Sequence, residues 1–350
     1  MKIVKNLSLF TLVISMLLGL VACTPSAPKA STAPAEPTKI EITDVIGRKV
    51  TLAAPATKIV GTHNPSVNTA VVLGGGQKYI VGFGNKEMGR GLYTLVMNNF
   101  DGLTQIGMGK NINFETVAKT GANLAIIPER FKDQAAQFEK VGVQALVALP
   151  NTESFDTVKT SLATVGKALG EDKRASEINA FIDKKIANAQ AIGAKAVTKP
   201  KVLFLGGSSP LSVAPSAMIQ TQLIETAGGI NAVSGVEGKG DFINVNIEQI
   251  VAWNPDVIWF PAYVSYSVDS LLKDPAWSSI KAIKNKKVYV FPSKLEPWDQ
   301  PTAAIALGVS WGVYNLHPDL YPLENLMKDA DEFYKLVYGK TFTAEQLGLK

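Results

Sequence analysis

Cysteine, histidine and arginine are all scarce in this chain of 350 residues. Cys23 is the single cysteine, and His63 and His317 are the two histidines. One cysteine excludes a disulfide within the chain and a cysteine-built metal site. Two histidines so far apart do not make a protein-built transition-metal site, so any metal must arrive already chelated. Arginine is limited to Arg48, Arg90, Arg130 and Arg174. The basic residues form no run, and nucleic-acid binding has no support. Phosphate loops are missing too, since neither G-x-x-x-x-G-K-[ST] nor G-x-G-x-x-G occurs. No apolar stretch reaches the ~20 residues of a membrane span.

One short apolar run is present, Leu7 to Val21, behind Lys2 and Lys5. Its charge and length are those of a signal peptide. It ends in Leu20-Val21-Ala22-Cys23, which resembles the bacterial lipoprotein box, where the chain is cut before the cysteine and the thiol is diacylated. The competing reading is a free thiol in an ordinary signal region. Losing Lys2 and Lys5 with residues 1–22 lowers the formal net charge from +5 to +3. Residues 23–39 are rich in Pro, Ala, Ser and Thr and cannot bury enough surface to order themselves. They read as a flexible tether.

The rest suits two lobes of roughly 150 residues each, and 46% hydrophobic residues is ample for two cores. Between the lobes lies Glu171 to Lys195. Ala175, Ile178, Ile182, Ile186, Ala189 and Ile192 recur at steps of three and four, which predicts one long amphipathic helix, roughly 37 Å long at about 1.5 Å per residue. An internal repeat flanks it. Ile112 to Pro128 reads INFETVAKTGANLAIIP, and Val245 to Pro261 reads VNIEQIVAWNPDVIWFP. Each copy reads as an Asn cap, a short helix, a turn, a buried strand and a proline. One copy on each side of the helix predicts two similar lobes joined by it. The expected divisions are residues 40–153, a linking helical region at 154–198, and 199–350.

Ile40 to Leu52 predicts a hairpin turning at Asp44 to Arg48. Buried-strand candidates are Lys58–Gly61, Tyr79–Phe83, Leu124–Ile127 and Ala145–Ala148, then Val202–Leu205, Val257–Phe260 and Val288–Phe291. Helical stretches lie between them. Such alternation predicts α/β architecture with mostly parallel sheets, and ligands then bind beyond the strands' carboxyl ends. Among the loops there are Thr62–Ser66, Gly84–Tyr93, Glu129–Lys132, Ala262–Val268 and Pro292–Pro301.

The chain at this point resembles the substrate-binding lipoproteins of the iron-siderophore, haem and cobalamin class of ABC importers. The residues that carry the resemblance are ITDVIGRKVTL with KIVGT after it, the NFETV and NIEQI units, QTQLIETAGGINAV, and the single linking helix. It runs from Ile40 to about Val337. It implies two Rossmann-like lobes flanking a cleft, a small-molecule ligand, permease and ATPase subunits as partners, and no enzymatic activity. It also implies a lipid-anchored receptor facing the periplasm or the cell exterior. No cofactor is expected, and a monomer is.

Cleft-facing candidates follow from the loops. Arg90 and Arg130 offer rigid forks to anionic oxygens, against the plainer reading of solvated surface arginines. Tyr263, Tyr266 and Trp298 offer aromatic faces to a bulky chelate, against plain lobe packing. His63 follows a strand in a cleft-facing loop and could touch a ligand, whereas His317 reads as a helix end. Asp299 is read as a cap for the helix after Pro301. Arginines opposing aromatics lead to an iron(III)-siderophore as the expected cargo. Cobalamin, haem, a nickel chelate or an oxyanion are the alternatives.

Two other classes are weighed. Gly308-Val309-Ser310-Trp311-Gly312 matches the G-x-S-x-G string of serine hydrolases, but it sits within a helical run rather than between strand and helix. A structural lipoprotein is the remaining reading. Glu115 and Glu248 hold the same place in the two repeats, at the second helical position, where a carboxylate gains roughly 0.3–1 kcal/mol from the helix dipole. In the class that the chain resembles, a glutamate of each lobe at this position meets permease arginines. Both glutamates are therefore candidate docking groups.

Cys23→Ala is expected to leave the fold intact and to abolish lipid attachment. Detergent-phase partitioning checks this: a variant that still partitions like the parent removes the lipoprotein reading.

Overall fold

The computed structural model describes residues 39–349 except Lys239, and omits the side chains of Met88 and Arg90. Cys23, the signal segment and most of the tether lie outside the described residues. Those described belong to one compact unit, Thr38–Lys350.

The chain opens with an antiparallel hairpin, β1 (Ile40–Thr43) and β2 (Lys49–Leu52). The Asp44 carboxylate holds its turn by accepting from the amides of Ile46 and Arg48 and from the Arg48 guanidinium. Then follow β3 (Ile59–Gly61), α1 (Asn64–Gly74), β4 (Ile80–Phe83), α2 (Arg90–Val96), β5 (Thr104–Gln105), β6 (Gly107–Met108), β7 (Asn111–Ile112), α3 (Phe114–Lys119), β8 (Leu124–Pro128), α4 (Ala135–Lys140) and β9 (Gln144–Leu149). Five of these strands form a parallel sheet in the order β5-β4-β3-β8-β9. Two helices, α5 (Phe155–Leu169) and α6 (Asp172–Gly193), carry the chain across.

The second lobe comprises β10 (Lys201–Phe204), β11 (Ser212–Val213), α7 (Ile219–Thr226), β12 (Ile230–Asn231), β13 (Ile243–Asn244), α8 (Ile247–Trp253), β14 (Val257–Pro261), α9 (Val268–Lys273), α10 (Lys281–Lys284) and β15 (Val288–Phe291). Its parallel sheet runs β12-β10-β14-β15. Helices α11 (Ile305–Leu316), α12 (Leu323–Tyr338) and α13 (Ala344–Leu347) close the chain. The α/β class and the parallel sheets are therefore as the sequence pattern predicts.

The repeat is matched element by element. Asn113 caps α3 by accepting from the Thr116 amide, and Asn246 caps α8 by accepting from the Gln249 amide. Each helix leads to a five-residue strand, buried throughout and ending in proline. Each is preceded by a two-residue antiparallel ladder, β6 with β7 and β11 with β13, which the sequence pattern misses.

The central helix differs from expectation at its ends. It spans 22 residues, roughly 33 Å, with Glu171 as its N-cap and Ala194 as its C-cap, and Gly170 in the left-handed region (φ +70°) ends α5 just ahead of it. Ala175, Ile178, Ile182 and Ala189 are buried as the stripe requires, and Ile186 and Ile192 are partly so. The G-x-S-x-G string lies inside α11. A Cβ at Gly308 would stand 2.2 Å from the Trp298 carbonyl oxygen, so the glycine serves close packing. Ser310 donates to the Asp329 carboxylate at 2.6 Å, and no hydrolase elbow exists there.

Successive strand residues alternate between two interiors, which is why the strands read as unbroken apolar runs. Val60, Ala125, Ile127 and Val147 face an interior confined to the first lobe. Leu203, Leu205, Ile258 and Phe260 face one confined to the second. Ile59, Leu124, Ile126, Val202, Phe204 and Trp259 all face a third interior, shared with α1, α5, α6, α11 and α12.

Polar contacts stitch that shared interior. The Asn68 amide of α1 donates to Glu296 Oε2 and to the Tyr93 hydroxyl, both at 3.2 Å. The Trp298 indole donates to the Tyr334 hydroxyl at 3.1 Å. Arg174, at the start of α6, donates to the carbonyls of Val72 and Val337. Lys185 and Asp329, both buried, pair at 2.6 Å.

Burial pushes the Glu296 carboxyl up to about 7 from an ordinary 4.5, against hydrogen bonds from Tyr334 and Asn68 that lower it. A carboxyl raised by folding contributes stability below its unfolded value, and that contribution fades as pH rises through its folded value. The stability owed to Glu296 is thus expected to fall between pH 4.5 and about 7. Glu296→Gln should flatten this part of a melting-temperature profile against pH. A variant with the parental slope would place the titration elsewhere.

Candidate ligand cleft

A helix that precedes a parallel strand runs back against it, so loops after strands and the first turns of helices share one edge of each sheet. These edges face each other here. His63 follows β3, Arg130 follows β8 and Glu153 follows β9, whereas Tyr263 follows β14 and Gln300 and Pro301 follow β15. Together with Pro65, Met218, Gln220, Gly240, Asp241 and Phe242 they line a cleft of about 180 Å³. A wider hollow of about 440 Å³ lies among α5, α6 and α7. Its Lys159 already pairs with Asp156 and Asp183.

The first-lobe wall is set by α1. His63 occupies its N-cap position in extended conformation, yet no side chain caps the helix, and its first turn has no acidic residue. The positive end of the helix dipole is therefore uncompensated by carboxylate. The Oγ atoms of Thr62 and Ser66 and Nδ1 of His63 are buried without partners. Burial, with the Arg130 charge in addition, lowers His63 to about 3, so the ring is neutral at ordinary pH. Arg130 Nη2 meets Glu153 Oε1 at 2.8 Å. Burial raises Glu153 to about 7 even though Arg130 pulls it down.

The second-lobe wall is built on Asp299. Its side chain is wholly buried, and Oδ2 accepts from the Tyr263 hydroxyl at 2.6 Å. Gln220 Nε2 donates to the Asp299 backbone carbonyl at 3.1 Å. Burial moves the Asp299 carboxyl up to about 6 and raises the Tyr263 phenol.

Of the expected ligand residues, His63, Arg130 and Tyr263 meet in this one cleft. The backbone of Arg90 begins α2, and its side chain is outside the described residues. Tyr266 turns toward its own lobe: its ring packs 5.3 Å from that of Phe260, and its hydroxyl donates to the Gly206 carbonyl at 3.4 Å. Trp298, 1% exposed, belongs to the shared interior beneath the cleft. Asp299 does not cap the following helix, which starts at Ile305; it anchors Tyr263 instead. His317 ends α11, as its sequence position suggests.

The carboxyl-edge rule also reaches Glu153, because Asn151 to Glu153 follows the Ala145–Ala148 run. Gln220 opens the QTQLIETAGGINAV stretch that helps carry the resemblance, but nothing in that stretch marked it for the cleft. Glu115 and Glu248 are exposed at the second positions of α3 and α8, and Glu115 pairs with Lys119 at 2.6 Å. Among the described residues no cluster of three or more His, Cys, Asp or Glu could hold a metal ion. No described helix is long and apolar enough to cross a membrane.

Known proteins resemble both the sequence and the fold. The molybdate-binding protein MolA of Haemophilus influenzae is 22% identical over 325 residues, 86% of this chain and 91% of that protein. Its molybdate-bound structure superposes with a TM-score of 0.73 at 20% identity, covering 87% of this chain and 99% of that one. A periplasmic solute binding protein from Veillonella parvula gives a TM-score of 0.77 at 23% identity, with 89% and 96% covered. An uncharacterised ABC transporter substrate-binding lipoprotein of Bacillus subtilis, YvrC, is 24% identical over 288 residues, 81% of this chain and 87% of that protein. The family model described as periplasmic binding protein matches residues 59–295, more than half of the chain, so this two-lobed protein belongs to the periplasmic binding protein family and is a substrate receptor of an ABC importer rather than an enzyme.

Proposed function

We propose that this receptor captures a compact anion, an oxyanion or a small anionic chelate, and delivers it to its permease from a lipid anchor on Cys23. The observation that carries the ligand reading is the first-lobe wall: a guanidinium beside an uncapped helix N-terminus with buried, unpartnered polar atoms. Such a wall suits anionic oxygens. The size supports it as well. At about 180 Å³, the cleft is smaller than the roughly 300–1,000 Å³ that encloses a drug-sized ligand. An iron(III)-siderophore, first in the reading of the sequence, has less support, because only Tyr263 of the three aromatic candidates lines the cleft. MolA, whose name gives molybdate as its ligand, agrees with the compact-anion reading. YvrC, described as a lipoprotein, agrees with the anchor.

Arg130→Ala should lose a charge-assisted contact on the order of 1.5–3 kcal/mol, about ten- to a hundredfold in affinity. Acidification should act in the opposite direction. As pH falls through about 7, Glu153 takes up a proton and frees Arg130 for the ligand, so anion affinity rises. Calorimetry with molybdate and ferric citrate across pH 6–8 checks both; equal affinities for parent and variant would remove the reading.

The docking role of Glu115 and Glu248 rests on their place. Each stands in the first turn of an Asn-capped helix, one per lobe. Two exposed carboxylates so placed suit a two-subunit permease with basic contacts. Reversing both, Glu115→Lys with Glu248→Lys, should spare ligand affinity and stop uptake in reconstituted vesicles, with each single reversal partial. Normal transport by the double variant would reduce both to helix ends.

A further inference from the structure

The two walls of the cleft have opposite hydrogen-bonding character. On the first-lobe side stand a guanidinium, a helix N-terminus and the unpartnered Nδ1 of His63, with the buried hydroxyls of Thr62 and Ser66 beside it in the chain. On the second-lobe side acceptors predominate, and one donor is already engaged. Gln220 gives its amide to the Asp299 carbonyl at 3.1 Å. The Tyr263 hydroxyl donates to Asp299 Oδ2 at 2.6 Å. The bond to Asp299 fixes which way the Gln220 amide points. What remains is three buried oxygens without partners, Oε1 of Gln220, Oε1 of Gln300 and Oδ1 of Asp299. Both glutamines line the cleft, and Asp241 lines it beside them.

Buried acceptors are left unpaired at a cost, and they reject a ligand that cannot satisfy them. A fully deprotonated tetrahedral oxyanion would meet them with lone pairs only. We infer that the ligand is two-faced: anionic oxygens toward Arg130 and the start of α1, and a hydroxyl or ammonium donor toward Gln220, Gln300 and Asp299. Its chemical class is a small hydroxy- or amino-carboxylate, free or as a compact metal complex. This rests on the compact-anion reading above and narrows it.

Succinate, malate and aspartate separate the possibilities, since they share a four-carbon diacid frame and differ in carrying no donor, a hydroxyl or an ammonium. Each is titrated into the intact protein, alone and with one equivalent of iron(III), beside molybdate. Malate or aspartate should bind at least about tenfold more tightly than succinate in matched form, and whichever leads identifies the donor. In Gln300→Met and in Gln220→Met, each checked for folding by its thermal melt, the preference over succinate should shrink. Equal binding of the three diacids, or molybdate as the tightest ligand, overturns the two-faced ligand while leaving the compact-anion reading standing. A protein that binds none of these probes overturns both.

Discussion

Arg174 gathers the carboxyl ends of two helices that come from opposite lobes. Its guanidinium donates to Val72 near the end of α1 and to Val337 near the end of α12, where each helix dipole is negative. Midway along α1, Asn68 is held by Glu296 from the second lobe. The other end of α1 is the cleft wall. One helix is therefore pinned at its foot and its waist, and offers its unpinned head to the ligand. The position of His63, Thr62 and Ser66 depends on contacts made well below them.

Much of this architecture was legible because burial on both faces leaves a plain mark. Val257 to Phe260 and Leu124 to Ile127 are apolar without interruption, short, and rich in β-branched or aromatic residues with a proline just after, which together suit a doubly covered strand. The Asn-capped repeat carried its own start signal. The two-residue strands β5 and β12 were not legible, since Thr104–Gln105 and Ile230–Asn231 have too few residues for any period to show. The long helix is a little shorter than expected, because Glu171 and Ala194 are its caps rather than its body, and periodicity alone does not mark where a cap falls.

The site was less legible than the fold, for a physical reason. A loop position says that a side chain stands near an edge, but not which way it turns. His63, Arg130 and Tyr263 turn into the cleft, whereas Trp298 sinks into the shared interior and its neighbour Asp299 rises to hold Tyr263. Gln220 reaches the cleft from the first turn of α7 through a tertiary contact with Asp299, and nothing local encodes such a contact. Carboxyls were also undervalued. Glu153, Glu296 and Asp299 are all raised by burial, so in an acidic medium much of their negative charge is absent.

The shared interior has a consequence for how the protein comes apart. Ile59 and Leu124 of one sheet and Phe204 and Trp259 of the other belong to the same apolar cluster, along with both crossing helices. Melting either lobe would strip the partner of one whole face of its sheet, at roughly 25 cal/mol for each Å² of apolar surface exposed. A half-unfolded molecule would keep only the interior confined to its own lobe. The shared interior thus couples the unfolding of what look like two domains, which leaves fewer partly open forms for a protease to find.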